Sequence, residues 1–209
     1  MSALPTAFYV SYVLLWALML FLGVLLLLVY RHFGVIAMGT YEGVQRDGLA
    51  IGEKAPDFSG VTARGQEITL SSPGGQSRFL LFAHPDCGPC EAVMPFVNHL
   101  GAAAQNGLDL EVAAVVSGPR DEVERLVERY DPPFLALAED GSGVFNLYRV
   151  RVTPFAFVIG GDGRVVAKGL CNDPVRVRDM LTAGGLDKAA AELDAAIVAA
   201  PATAEGEPR

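Results

Sequence analysis

The first thirty residues carry no charged side chain, and residues 7–30, AFYVSYVLLWALMLFLGVLLLLVY, are apolar with no polar face. At about 1.5 Å per residue this run exceeds the roughly 30 Å hydrocarbon core of a bilayer, so residues 1–30 are read as a transmembrane anchor. Tyr9, Tyr12 and Trp16 toward one end and Tyr30 at the other form an aromatic belt, with Arg31 and His32 marking the exit. A cleaved signal peptide would have a basic leading region and an apolar run of about 7–15 residues, and this chain has neither. Residues 31–50, interrupted by Gly34, Gly39, Gly43 and Gly48, hold no sustained period and read as a tether.

From residue 51 the pattern becomes that of a folded domain, predicted to run to residue 185. Residues 67–70 and the continuous apolar run FLLFA at 79–83 predict strands, the second buried inside a sheet. Val93, Phe96, Val97 and Leu100 fall on one face of a helix over 91–104. Residues 110–116 predict another buried strand, 121–130 an amphipathic helix with its acids in the first turn, 134–138 a strand and 142–148 a short helix. FAFVI, then Gly160-Gly161-Asp162-Gly163, then RVVAK predict a β-hairpin, and a last helix opens at Asp173 or Pro174 and stops before Gly184-Gly185. Strands alternating with helices and closing on a hairpin and a helix predict an α/β fold, a mixed sheet with helices on both faces. Beyond it, residues 186–209 form an Ala-rich tail with Leu186, Ala190, Leu193 and Ile197 on one stripe, a pattern that allows a helix over 186–200. Its last nine residues lack the apolar bulk to bury and are expected to be disordered.

The length of 209 residues allows one domain plus the anchor. A net charge of −8, with no Lys/Arg cluster, excludes a nucleic-acid-binding face. Three cysteines are too few for a disulfide scaffold, but two stand as Cys87-Gly88-Pro89-Cys90, a spacing that means metal or redox chemistry. The pair lies where a buried strand ends and a helix begins. There the unpaired N–H groups and the helix dipole favour a thiolate on Cys87, the expected nucleophile. Cys90, one turn in, suits the resolving role, and Pro89 fits the first turn, where a missing N–H costs nothing. Zinc would need four ligands; no second CxxC exists, and His84 and His99 complete a set only by coincidence of folding. No metal and no bound cofactor are expected: the redox group is the Cys87–Cys90 disulfide itself.

The junction FLLFAHPDCGPC, followed downstream by Val152-Thr153-Pro154 opening an apolar strand, resembles the thioredoxin superfamily. That resemblance implies a thioredoxin-like fold in which Pro154 is cis, packs against the active-site sulfurs and leaves the Thr153 backbone to pair with an extended substrate. The opening Ile51-Gly52-Glu53-Lys54-Ala55-Pro56-Asp57-Phe58 is similar to the redoxin and TlpA-like branch, whose members often hang from the bacterial membrane and act in the periplasm. The anchor, Phe82-x-x-Pro85-x-Cys87-x-x-Cys90, Tyr148-Arg149-Val150 and Ala167-Lys168-Gly169-Leu170-x-Asn172 resemble the MauD family over about residues 8–182. These are accessory proteins of methylamine utilisation, implicated in maturing a disulfide-rich quinoprotein dehydrogenase. The resemblance implies a thiol-disulfide oxidoreductase of the inner membrane with a periplasmic domain. Its partners would be cysteine-bearing protein substrates, a membrane or periplasmic redox partner, and the bilayer through residues 7–30. Charge alone points the other way, because Arg31 and Arg46 follow the anchor and only the α-amine precedes it. The periplasmic placement is adopted here because a tethered cytosolic dithiol would duplicate soluble thioredoxin.

Two departures stand out. Leu81 occupies the position, six before the first cysteine, where thioredoxins carry a buried carboxylate, and Asp86 replaces the tryptophan before the nucleophile, where its charge is expected to oppose a thiolate. His84 is a candidate proton shuttle, though such a residue more often lines the loop. Cys171, after the hairpin, is expected near the rim of the Cys87 site, as a half-buried thiol or as an exchange partner of the pair. A haem-maturation reductase is the nearest alternative, but its Gly-x-Pro-Glu loop is not matched around Pro154. A peroxiredoxin would place Thr or Ser at His84 and Pro at Leu80, and a copper-delivery module would want CxxxC and a histidine beyond His99.

Overall fold

The computed structural model describes residues 6–37, 47–62, 65–71, 74–141 and 143–199. The chain divides into two compact units at Val44/Gln45. The first holds helix α1, Thr6–Ala37, which runs seven residues past the expected end of the anchor. Its segment Phe8–Leu26 has a mean hydropathy of 2.3, and among the described residues none of the segment is buried. Leu14, Leu18, Phe21 and Leu22 are each more than half exposed.

The second unit is a seven-stranded mixed sheet of order β2-β1-β5-β4-β3-β6-β7. Its strands are β1 (Phe58–Thr62), β2 (Glu67–Leu70), β3 (Ser77–Ala83), β4 (Leu110–Ser117), β5 (Leu135–Glu139), β6 (Phe155–Ile159) and β7 (Val165–Leu170). The helices are α2 (Gly88–Gln105), α3 (Arg120–Tyr130), α4 (Gly143–Leu147), α5 (Pro174–Ala183) and α6 (Asp187–Ala199). Strands β3, β4 and β5 run parallel, whereas β6 is antiparallel to β3 and β7 to β6. The C-terminal ends of β3, β4, β5 and β7 and the start of β6 therefore share one edge, where Phe82 pairs Phe155 and Phe155 pairs Leu170.

Alternation sorts the two faces. Phe79, Leu81, Ala83, Val112, Ala114, Val116, Ala156 and Val158 turn to one side and pack with Val93, Val97 and Leu100 of α2, Val123 of α3, Leu181 of α5 and Leu193 of α6. The other side is aromatic: Phe82 stacks on Phe145, Tyr148 and Phe157 with centroids 5.0, 5.2 and 5.7 Å apart, and Phe58 meets Tyr148 at 5.6 Å. Tyr148 closes this layer by donating its hydroxyl to the Pro56 carbonyl at 2.8 Å. Its burial pushes the phenol pKa well up.

Three features differ from the sequence reading. Strand β1, FSGVT, was not predicted; it forms because β2 and β5 pair with it on either side. The end of the expected tether, Asp47 to Ala50, belongs to the domain, with Leu49 buried. The Ala-rich stretch forms the helix its stripe allowed, α6, but docks through Ala189, Ala190 and Leu193 instead of standing off as a tail. The rest of the expected tether (38–46), the start of the anchor (1–5) and the expected disordered end (201–209) lie outside the described residues.

Candidate active site

Strand β3 ends at Ala83, and His84, Pro85 and Asp86 carry the chain to Cys87, the N-cap of α2. Cys87 takes an extended conformation, and its sulfur accepts the Cys90 amide at 3.2 Å. A sulfur thus fills the role that Ser, Thr or Asp plays at other helix starts, with Pro89 within the first two helical positions. Cys87 and Cys90 are joined in a disulfide with their Cα atoms 5.1 Å apart. Cys87 is half-buried, whereas Cys90 is 0% exposed and sits in the core under α2. One sulfur faces outward at a positive helix end, and its partner is sealed beneath it.

The Thr153–Pro154 peptide is cis. Pro154 directly precedes Phe155, which pairs Phe82, so the loop lies beside the strand that delivers Cys87. Pro154 is buried and Thr153 half-exposed; before them Val152 is 42% exposed, an apolar residue presented at the surface. Gly118, after β4, closes the other flank: a Cβ there would stand 2.9 Å from Pro85 Cδ, so only glycine allows the two loops to touch. A small cleft of about 140 Å³ opens next to it, lined by Pro85, Asp86, Glu91, Glu122, Arg125 and Arg129. Across it Arg129 pairs with Glu91 at 3.1 Å.

His84 accepts the Asp86 amide on Nδ1 at 3.3 Å. Its ring therefore braces the approach to Cys87, the loop-lining role, while Asp86 stays exposed. Leu81 is wholly buried, so apolar packing replaces a carboxylate there. Cys171 is at the same sheet edge, but it is fully buried rather than half-buried on the rim. It shares the apolar cluster of Cys90, and its amide donates to the Pro154 carbonyl at 3.1 Å. Burial pushes its thiol pKa well up, so it stays protonated. His99 is on the far part of α2, 4.0 Å from Glu192. Among the described residues no group of three or more His, Cys, Asp or Glu side chains is placed to hold a metal ion. Arg149, named in the sequence only within Tyr148-Arg149-Val150, binds both oxygens of the Glu53 carboxylate. It takes a left-handed φ of 57°, a conformation that Gly, Asn, Asp and His favour and that arginine does not announce.

A sheet of this order, a CxxC pair capping the helix after its central strand, and a cis-proline loop beside it define a thioredoxin-fold thiol-disulfide oxidoreductase. Residues 51–168 match the model of the AhpC/TSA family, and the chain belongs to that family. It is 30% identical over 138 residues to the thiol-disulfide oxidoreductase ResA of Bacillus cereus, which covers 65% of this chain and 79% of that protein. It is 31% identical over 179 residues to the methylamine utilization protein MauD of Methylobacillus flagellatus, covering 81% and 83%. Among solved structures, a DsbE-type thiol:disulfide interchange protein from Chlorobium tepidum superposes with a TM-score of 0.59 at 24% identity, covering 65% of this chain and 98% of that one.

Proposed function

We propose that this protein is a membrane-tethered dithiol oxidoreductase that exchanges disulfides with periplasmic proteins, Cys87 attacking and Cys90 resolving. The observation that carries the reading is the asymmetry of the pair: Cys87 is half-exposed at the start of α2, and Cys90 is 0% exposed behind it. In the reducing direction the Cys87 thiolate, held by the Cys90 N–H and the helix end, attacks one sulfur of a substrate disulfide. The other substrate sulfur leaves as a thiolate and takes a proton from water. Cys90, losing its proton, then attacks Cys87 Sγ, expels the second substrate thiolate and closes Cys87–Cys90; two electrons have passed to the substrate. Run backwards, the same steps oxidise a dithiol. The two sulfurs are the whole redox group, so the chemistry calls for no cofactor. The Thr153 backbone and Val152 receive the substrate segment in extended form.

Placement on a membrane is supported by the apolar segment Phe8–Leu26 of α1, about 28 Å long at 1.5 Å per residue. The 31% identity to a methylamine utilization protein supports the narrower reading, taken from the sequence resemblance, of a role in maturing a quinoprotein amine dehydrogenase. Replacing Cys90 by Ser is expected to trap substrates on Cys87 as mixed disulfides on non-reducing gels. Equal trapping by Cys87→Ser would overturn the assignment. A C-terminal alkaline phosphatase fusion is expected to be active, and an inactive fusion beside a bright cytosolic reporter overturns the periplasmic placement.

A further inference from the structure

The stretch from Asp47 to Glu53 is fastened to the domain more firmly than an attachment point requires. Gly48, at φ +74°, lies so close to the aromatic layer that a Cβ would stand 2.7 Å from Phe157 Cζ and 3.0 Å from Phe155 Cε1. Its amide donates to the Arg149 carbonyl at 2.9 Å. Lys168 Nζ donates to the Asp47 carbonyl at 2.7 Å. The Arg149 guanidinium holds both oxygens of the Glu53 carboxylate, at 2.9 and 3.2 Å, and Arg151 Nε lies 3.8 Å from Asp47 Oδ1.

These contacts converge on the segment that leads into Thr153–Pro154. Arg149 keeps its left-handed φ of 57° although it carries a Cβ, a conformation that persists only where the surroundings impose it. Beyond the loop, the Cys171 amide holds the Pro154 carbonyl at 3.1 Å. Residues 151–153 thus hang between two fixed points, and the 47–53 stretch supplies the first. The Arg149–Glu53 pair is exposed, with side chains 60% and 32% accessible, and a pair so wet adds little to stability. What it does fix is the direction in which the chain leaves residue 149.

Resting on the reading of Thr153–Pro154 as the substrate-docking loop, we propose that Arg149 is a positioning residue. Its fork on Glu53 clamps the loop to the 47–53 stretch and sets the edge against which a protein substrate pairs. A small disulfide that reaches Cys87 without pairing to the Thr153 backbone does not depend on this clamp. Residues 47–53 are therefore part of the substrate site itself, not a neutral surface of the domain.

The test uses full-length protein and compares insulin reduction, with dithiothreitol as reductant, with the reaction of pre-reduced, dithiothreitol-free protein with 5,5′-dithiobis(2-nitrobenzoate). Arg149→Gly suits it, because glycine keeps φ +57° without strain while the fork is lost. Glu53→Gln removes the same ion pair and leaves a carbonyl oxygen to accept the Ala50 amide, which the carboxylate holds at 2.9 Å. Both are expected to raise KM for insulin roughly three- to tenfold, with kcat, the small-disulfide kinetics and the Cys87–Cys90 potential unchanged, and Arg149→Lys to restore part of the loss. Unchanged insulin kinetics, or a parallel fall on both substrates, overturns the proposal. Pro154→Ala separates the two readings. If it leaves the insulin KM unmoved, the docking-loop reading fails and the clamp with it. If Pro154→Ala raises that KM while Arg149→Gly and Glu53→Gln do not, only the clamp is overturned.

Discussion

Two strand-to-helix junctions stand at the active edge of the sheet, one on each side of β6, and they are built alike. The β3–α2 junction carries Cys87 and Cys90; the β7–α5 junction carries Cys171. Each helix has a proline in its first two positions and a side-chain N-cap: Cys87 on the Cys90 amide at 3.2 Å in one, Asp173 on the Arg176 amide at 2.9 Å in the other. The difference is where the sulfur falls. In the first junction it is the cap, at the positive end of the helix and in reach of solvent. In the second it stands two residues before the cap, turned into the core, and a carboxylate holds the helix end. On the proposed function, thiol reactivity follows position relative to the cap, since both cysteines lie at the same sheet edge.

The largest expected effect tests the first junction. Cys87→Ser keeps a competent N-cap, because a hydroxyl serves that role well. The domain should stay folded by circular dichroism while disulfide exchange drops to the uncatalysed background. Residual turnover above background would mean that the cap position is not what makes the sulfur reactive.

Next comes alkaline pH. Burial raises the Cys171 pKa above its unfolded value, so the folded chain keeps a proton that the unfolded chain releases. That contribution is complete below the ordinary thiol range near pH 8.5 and is lost as pH rises, by about 1.4 kcal/mol per unit. Tyr148 adds the same sign above about pH 10. Urea unfolding of the oxidised protein from pH 8 to 10 should show this slope, and Cys171→Ala should flatten it below pH 10. An equal slope in the variant would place the titration elsewhere.

Asp173→Ala removes the second cap and should cost about 1 kcal/mol, a fall of roughly 2–4 °C in Tm by calorimetry, with the exchange rate of Cys87 untouched. A changed rate would show that the two junctions are coupled. The smallest effect is on Cys171 itself. Cys171→Ala should leave insulin reduction unchanged, and the reduced native protein should release two equivalents of thionitrobenzoate, Cys87 reacting and buried Cys90 displacing the second by closing the disulfide, with the third thiol appearing only in denaturant. A third thiol reacting at the rate of the first two would erase the contrast.

Much of this was readable in the chain. The continuous apolar runs of β3 and β4, the helical spacing from Val93 to Leu100 and the glycine turn between β6 and β7 each announce their element, because local pattern and burial agree. CGPC with Thr153-Pro154 marks the chemistry for the same reason: few arrangements need a thiol at a helix cap and a proline at a strand start. Strand β1 was not legible, since FSGVT has a central glycine and earns its conformation from its neighbours. The docking of Asp47–Glu53 escaped too, because its partners, Arg149, Phe157 and Lys168, are about a hundred residues away, and a left-handed arginine has no sequence signature. Cys171 could be assigned to the right edge from topology, but its depth depended on which way the residue after Leu170 turned.

The depth of Cys171 also bears on how the chain acquires its disulfide. Three thiols permit three pairings, and an unfolded chain in an oxidising compartment samples all of them. The Cys87–Cys90 loop closes with the least loss of chain entropy and is favoured kinetically. Once β7 is laid against β6, Cys171 is enclosed in the core, and Cys87, half-exposed at the helix start, is the sulfur left to meet an oxidant from solution. On the proposed function the fold thus acts as its own proofreader: it shields the competing sulfur, so later cycles of oxidation and reduction favour the same bond.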